Sequence, residues 1–331
     1  MTKRRKPRGP GQHHRLGLTV KQLFGIVPNA QIAEDWFEKI MWGVDHEKRH
    51  CGHCSAMDTV RSKSGRPMKY RCRTCKKYFD IKTGTMLQGT HIPLDTWIHA
   101  IYLAVTSIKG ISSMKIHREL GVTQKTAWHL MHRIRMAMDI AHTLVGHVPM
   151  DGTVQMDEMY VGGLERNRHA SKKLRLGRGA VGKTAVVGIR HNESGLIRAQ
   201  TFDNVNQQNV HEFLHQNVKS GTEVHTDDAR VYDNLEQQGF KHKSVKHSAG
   251  EYVKDGVTTN SIESYWALFK RGVYGTYHHL SRKHLDRYLE EFSGRHNIRA
   301  MNTWVQIVLV MGNIANTHLP YKELIADPEA D

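Results

Sequence analysis

All four cysteines of the chain fall in one short stretch, as Cys51-Gly-His-Cys54 and Cys72-Arg-Thr-Cys75. Two C-x2-C pairs separated by 17 residues have the spacing of a zinc ribbon. Each tight turn offers two thiolates, and two turns complete a tetrahedral shell. A stretch this short has little room for any other arrangement. The alternative is a pair of disulfides or free buried thiols. The N-terminus Met-Thr-Lys-Arg-Arg-Lys-Pro-Arg is followed by no apolar h-region, so a signal peptide and the oxidising compartment that favours disulfides are not expected. Cys51, Cys54, Cys72 and Cys75 are therefore the expected Zn²⁺ ligands, with His53 left out. With four thiolates the site is closed, hence structural and not catalytic.

The charge is distributed as unevenly as the cysteines. Residues 1–150 hold 25 Lys+Arg against 10 Asp+Glu, and residues 151–331 hold 23 against 22. A basic half joined to a neutral half fits a nucleic-acid-binding portion attached to a portion with another task. Arg61, Lys63, Arg66, Lys69, Arg71, Arg73, Lys76 and Lys77 coat the cysteine region and suit DNA phosphates, or else form a solvated face. At 39% hydrophobic and 24% charged residues, the chain is expected to build a globular core. Its apolar runs near 100–108 and 304–314 are too short or too interrupted for a bilayer, which needs about 20 apolar residues.

Along the chain the pattern predicts several domains: a basic tail over 1–20, a helical segment over 21–45 and the ribbon over 46–82. A helix-turn-helix-like segment follows over 90–145, an α/β or mixed-sheet domain over 150–300, and a helix and tail over 301–331. In the segment from Ile111 to Ile134, Ser112 or Ser113 can cap a first helix, Gly121 can turn the chain and Thr123 can cap a second helix. Trp128, Met131 and Ile134 are spaced to face a core. Gln124, Lys125, His129 and Arg133 are left for an exposed recognition face. After Gly152 the period shortens to that of strands. Val154–Val161, Thr184–Arg190 and Gly195–Phe202 read as strands, 206–218 as helix, Glu223–Thr226 as strand and Thr258–Arg271 as helix.

Three acidic positions stand out. Asp157 lies in the strand-like run Val154-Gln-Met-Asp-Glu-Met-Tyr-Val161, where a carboxylate is costly unless paired or metal-bound. Asp227 ends the strand Val224-His-Thr-Asp. On the helix from Thr258, Asn260, Glu263 and Lys270 share one face, while Ile262, Tyr265, Trp266 and Phe269 form another. Polar positions from two strands and a helix can hold two Mg²⁺ ions for phosphodiester chemistry, and Lys270 can steady a phosphate. The same residues admit plainer roles: Asn260 and Glu263 as a helix N-cap pair, and Lys270 as a solvated lysine.

Taken together, the chain from about Lys21 to Asn297 resembles a bacterial insertion-sequence transposase of the class that joins a zinc ribbon to a DDE integrase-type domain. The likeness rests on the cysteine motif, Thr83-Gly-Thr85, Gly110-Ile-Ser-Ser113, Glu119-Leu-Gly-Val122 and Gln124-Lys-Thr-Ala-Trp128. It continues through Asp157-Glu-Met-Tyr-Val-Gly-Gly163, Arg166-Asn-Arg-His169, Gly182-Lys-Thr-Ala-Val-Val-Gly188, Asn260-Ser-Ile-Glu-Ser264 and Lys270-Arg-Gly272. Gly275-Thr-Tyr-His-His279 and Tyr288-Leu-Glu-Glu-Phe292, with Arg295 and Asn297, complete it. The resemblance implies a ribonuclease-H-like catalytic fold with Asp157 and Asp227 as the first two ligands of Mg²⁺ or Mn²⁺. It allows either Glu263 or Asn260 as the third, with Glu263 preferred because a carboxylate is the stronger ligand, and it makes Lys270 the basic residue after it. Asp228 departs from the family, which more often has Gly there.

The expected activity is cleavage of the element's terminal inverted repeats and their joining to target DNA. The ribbon and helical segment would recognise the ends, and the basic loop Arg166–Lys183 would contact DNA near the active site. A homo-oligomer, at least a dimer on DNA, and a cytoplasmic, nucleoid-associated location are expected from the class, with no membrane partner. Two rival readings are a zinc-ribbon DNA-binding regulator with an inactive catalytic remnant, and a nuclease without strand joining.

Overall fold

The structure, a computed structural model, describes residues 16–63, 65–66, 68–139, 148–163, 169–173, 182–246, 253, 256–314 and 318–326. The chain divides into two compact units. One takes in Met1–Ser107, Ser113–Ala137 and Ile298–Asp327, the other Ile108–Ser112, Met138–Asn297 and Pro328–Asp331. Among the described residues no helix is long and apolar enough to cross a membrane.

The first unit opens with two short helices where the sequence pattern suggested one helical segment. Helix α1 (Val20–Ile26) starts at a capping box, in which Thr19 Oγ1 accepts from the Gln22 amide and Gln22 Oε1 accepts from the Thr19 amide. Pro28 lacks an N–H and restricts Val27, so the chain restarts at Asn29, whose side chain caps α2 (Ala30–Trp42). Glu38 of α2 is buried. Its carboxylate takes the Lys69 ammonium at 2.9 Å and the Tyr70 hydroxyl at 3.0 Å, which fastens α2 to the three-stranded antiparallel sheet of β1 (Thr59–Arg61), β2 (Tyr70–Cys72) and β3 (Tyr78–Phe79). Trp42 packs edge-on against Tyr70 and Phe79 at this junction. The buried charge is tolerable because it is paired and hydrogen-bonded.

Helices α3 (Leu94–Thr106), α4 (Ser113–Leu120) and α5 (Gln124–Ala137) follow. Gly121 turns the chain with a φ of 66°, and Thr123 Oγ1 accepts from the Thr126 amide to start α5. Met131 and Ile134 are buried and Trp128 is half-buried, as the spacing required. The exposed recognition face is a different matter. Gln124 and Lys125 are exposed, but His129 is half-buried and Arg133 is only 7% exposed. After α9 (Thr303–Ile314), the segment leading into α10 (Tyr321–Ile325) lies against this face. Arg133 Nε donates to the Leu319 carbonyl at 3.0 Å, His129 stacks edge-on with Tyr321, and the Lys125 ammonium sits 4.7 Å from the Tyr321 ring centroid. The expectation for His129 and Arg133 is thus corrected: they serve the packing of the chain's own C-terminal segment.

The second unit is built on a five-stranded mixed sheet in the order β6-β5-β4-β7-β8, comprising β4 (Thr153–Val161), β5 (Thr184–His191), β6 (Ile197–Phe202), β7 (Glu223–Asp227) and β8 (Lys241–Val245). The first three are antiparallel neighbours, whereas β7 runs parallel to β4 and β8 parallel to β7. Helix α6 (Gln207–Asn217) closes one face, packing Val210, Phe213 and Leu214 on Val154, Met156, Val187 and Ile189. Helices α7 (Asn260–Gly272) and α8 (Leu285–Asn297) close the other, packing Ile262, Trp266, Phe269 and Phe292 on Met159, Val161 and Val186. Alternation along each strand produces the division: even-numbered residues of β4 meet α6, odd-numbered ones α7 and α8.

On α8, Glu290 has a buried Oε2 with no hydrogen-bond partner among the described residues. Burial, together with the charges of Asp139 and Asp286, pushes its carboxyl up to about 8. A carboxyl raised by folding binds its proton more tightly in the native state. Its favourable contribution is present below the unfolded value and is lost as pH rises through about 8. Glu290→Gln is therefore expected to leave the thermal midpoint unchanged at about pH 4 and to raise it above wild type at about pH 9; identical pH profiles in calorimetry would contradict this.

Candidate functional site

In the first unit the four cysteines converge. All four sulfurs lie within 4.8 Å of one another, with Cys51–Cys75 and Cys54–Cys72 at 3.7 Å. A tetrahedral shell of metal–sulfur bonds near 2.3 Å requires sulfurs about 3.8 Å apart, so the quartet can hold a tetrahedral ion. The two turns are built alike. The His53 amide donates to Cys51 Sγ and the Cys75 amide to Cys72 Sγ, both at 3.4 Å. Each second cysteine is followed by a left-handed residue, Ser55 or Lys76. The Cys75 amide holds the Cys72 thiol down at about 6, while burial pushes Cys51 up to about 11. Gly52 packs so closely on the Thr83 carbonyl that a Cβ would come within 2.1 Å of it, which gives the Thr83-Gly-Thr85 motif a place: it backs the first turn.

In the second unit the carboxylates meet on the α7 face of the sheet. The parallel register pairs Val154 with Val224 and Gln155 with His225. Two residues further along, Asp157 and Asp227 come abreast on neighbouring strands, both directed to the α7 side. Asp157 also stands opposite Gly188 of β5. Here a side chain would collide with α7, since a Cβ on Gly188 would lie 2.6 Å from the Trp266 ring. The missing side chain lets α7 cross low over the sheet and bring Glu263 toward the aspartates.

Electrostatics mark the cluster. Burial first, then the charges of Glu158, Asp227 and Glu263, push the Asp157 carboxyl up to about 7. Asp227 Oδ1 accepts from the Ala229 amide at 3.1 Å, which fixes its side chain in the turn after β7. Glu263 Oε1 accepts from the Thr259 hydroxyl at 2.7 Å. Glu158 points to the opposite face, where the hydroxyl of buried Tyr232 donates to it. Among the described residues the cysteines are the one group of three or more potential ligands gathered to hold an ion, and Asp157, Asp227 and Glu263 do not form such a group. Like charges spread; a divalent cation would draw them in, and an all-oxygen donor set suits Mg²⁺ or Mn²⁺.

The remaining expected residues fall around this centre. Asn260 is exposed as the first residue of α7 and Lys270 is exposed near its other end, while Ile262, Tyr265, Trp266 and Phe269 are buried. The N-cap position belongs to Thr259, so Asn260 and Glu263 do not form the N-cap pair. Asp228 is exposed. Most of the basic loop, with Arg166, Arg168, Arg175 and Arg178, lies outside the described residues. Gln155, Gly188, Thr259 and Tyr232 were not singled out from the sequence. A polar residue between the apolar Val154 and Met156, two places before Asp157, was the signal available for the first.

Comparison with known proteins agrees with this geometry. Residues 149–297 match the model of the ISXO2-like transposase domain. An uncharacterised protein of the transposable element ISH50 of Halobacterium salinarum is 28% identical over 262 residues, covering 75% of this chain and 85% of the relative. A solved structure of a pre-cleavage Mos1 transpososome aligns with 65% of this chain and 78% of its own at 12% identity, with a TM-score of 0.24, a likeness too slight to carry an argument. The chain is thus similar to proteins of insertion-sequence transposable elements, and its likeness to the ISXO2-like transposase domain falls within the second unit. The relative is archaeal, so the match does not speak for a bacterial origin.

Because α7 needs the space above Gly188, Gly188→Ala is expected to destabilise the second unit by about 1–3 kcal/mol. Hydrogen exchange at the amides of α7 and β5 in graded urea would measure it; unchanged protection would show that α7 does not depend on that close approach.

Proposed function

We propose that the chain is a metal-dependent DNA transposase that cleaves the inverted-repeat ends of its element and joins them to target DNA. The observation that carries this reading is the meeting of Asp157, Asp227 and Glu263 on one face of the mixed sheet, inside the region that matches a transposase domain. The strand order, with three antiparallel strands continued by two parallel ones, supports a ribonuclease-H-like fold. Two Mg²⁺ or Mn²⁺ ions would polarise the attacking water or 3′-hydroxyl and stabilise the leaving oxygen of the phosphodiester.

The chain's own residues supply the rest. Asp157 and Asp227 are the ligands held on strands, and Glu263 is the ligand carried by α7. Support for Glu263 over Asn260 comes from its charge, which acts directly on Asp157; Asn260 stands as the alternative from the same turn. Lys270, two turns on, would pair with a phosphate. In the first unit the cysteine quartet is a structural Zn²⁺ site, and the basic residues around it are the surface for the element ends. Chemistry at two ends calls for at least a dimer on DNA.

A plasmid carrying the gene with its flanking DNA tests the activity. Wild type is expected to give insertions, while Asp157→Asn and Asp227→Asn fall to background at equal protein level. Glu263→Gln is expected to fall further than Asn260→Ala, and the reverse order would exchange their roles. No insertion from any version, with flanking repeats intact and protein soluble, would favour the DNA-binding regulator. For the quartet, elemental analysis of purified protein is expected to give about one zinc per chain. Cys72→Ser should lose it and lower the melting temperature; an unchanged metal content would contradict the assignment.

A further inference from the structure

Gln155 takes no part in the chemistry described above, yet its side chain joins the sheet to α7 by hydrogen bonds. It is 2% exposed and lies on β4 two residues before Asp157, on the same face. Its Oε1 accepts from two backbone amides of the first turn of α7, Ser261 at 3.0 Å and Ile262 at 3.1 Å. Its Nε2 donates to Asn192 Oδ1 at 2.9 Å. The first-turn amides of a helix call for acceptors beyond its own ladder. In α7 the Ile262 amide also reaches the Thr259 carbonyl at 3.1 Å, and Gln155, on the strand that carries Asp157, accepts from both it and the Ser261 amide.

The consequence is geometric. Gln155 fixes the head of α7 to β4 through Ser261 and Ile262, the two residues just before Glu263, from a position two residues before Asp157. Asn192, in the turn after β5, holds the amide group so that the oxygen faces the helix. The separation of Glu263 from Asp157 is then set by one rigid link between strand and helix. We propose that Gln155 is a positioning residue, whose carboxamide holds α7 in register with β4 so that Glu263 and the two aspartates present a common site to a divalent cation. This rests on the transposase reading of those carboxylates, and it assigns to Gln155 a role in metal affinity and not in contact with DNA.

Mn²⁺ titration of the full-length chain followed by electron paramagnetic resonance reads metal binding without requiring turnover. Wild type, Gln155→Ala, Gln155→Glu and Asp157→Asn are compared, with hydrogen exchange at the amides of Ser261 and Ile262 measured in parallel. Gln155→Ala is expected to weaken Mn²⁺ binding by about 10- to 100-fold, the range for groups that orient metal ligands, and to speed exchange at those two amides. Gln155→Glu keeps an acceptor for both amides, and Asn192 can turn its own amide to donate to it; it is expected to restore affinity and protection together. Wild-type affinity in Gln155→Ala would overturn the proposal. So would a loss that Gln155→Glu does not repair, accompanied by faster exchange throughout the sheet, because the residue would then be merely structural. Equal Mn²⁺ binding by wild type and Asp157→Asn would remove the metal site itself. That failure of the underlying reading is recognisable because it appears without any change at Gln155.

Discussion

Burial of Asp157 is the constraint around which the second unit is organised. A carboxylate on the inner face of a strand loses its hydration, and here the neighbouring acidic groups add repulsion, so that the carboxyl rises to about 7. Nothing in the packing of an ordinary sheet requires this. The unit nonetheless sets Asp227 on the adjacent strand and brings Glu263 over both. An arrangement that raises electrostatic energy in the free protein would be offset by a divalent cation, since the proximity that penalises three carboxylates would favour their sharing one ion.

Two further side chains of β4, on opposite faces, anchor that arrangement. On the α7 side Gln155 takes the first-turn amides of the helix that carries Glu263. On the α6 side Glu158 receives the hydroxyl of Tyr232, from the turn that follows Asp227. The strand bearing Asp157 is thereby tied to both of the elements that bear its partners. Gly188 completes the design by absence, leaving room above the sheet for Trp266. In the first unit the cysteine quartet does comparable work for segments too short to bury much apolar surface, since β1, β2 and β3 have only two or three residues each.

Much of this was legible in the sequence because strong local signals coincide with the architecture. Alternating apolar residues mark β4, a continuous apolar run marks β5, a 3.6-residue period marks α7, and C-x2-C spacing marks the two cysteine turns. What escaped has physical reasons. Strand β8, Lys-His-Lys-Ser-Val, buries only Val245 and is held by backbone pairing with β7, so side-chain pattern does not reveal it. Arg133 reads as a surface cation on any helix; only the return of Leu319 to α5 makes it a buried donor. Gln155 looks like any polar strand residue until the first turn of α7 is placed over it. Asp157 and Asp227 could be singled out because charge among apolar neighbours is conspicuous, whereas an uncharged amide is not.

The central claim is that Asp157, Asp227 and Glu263 form one divalent-cation site. Crystals of the full chain soaked in Mn²⁺ and measured for anomalous scattering test it most directly. The account predicts a peak between Asp157 and Asp227, within coordination distance of their oxygens and with Glu263 drawn toward it. Manganese bound elsewhere, with these three carboxylates left apart, would contradict it.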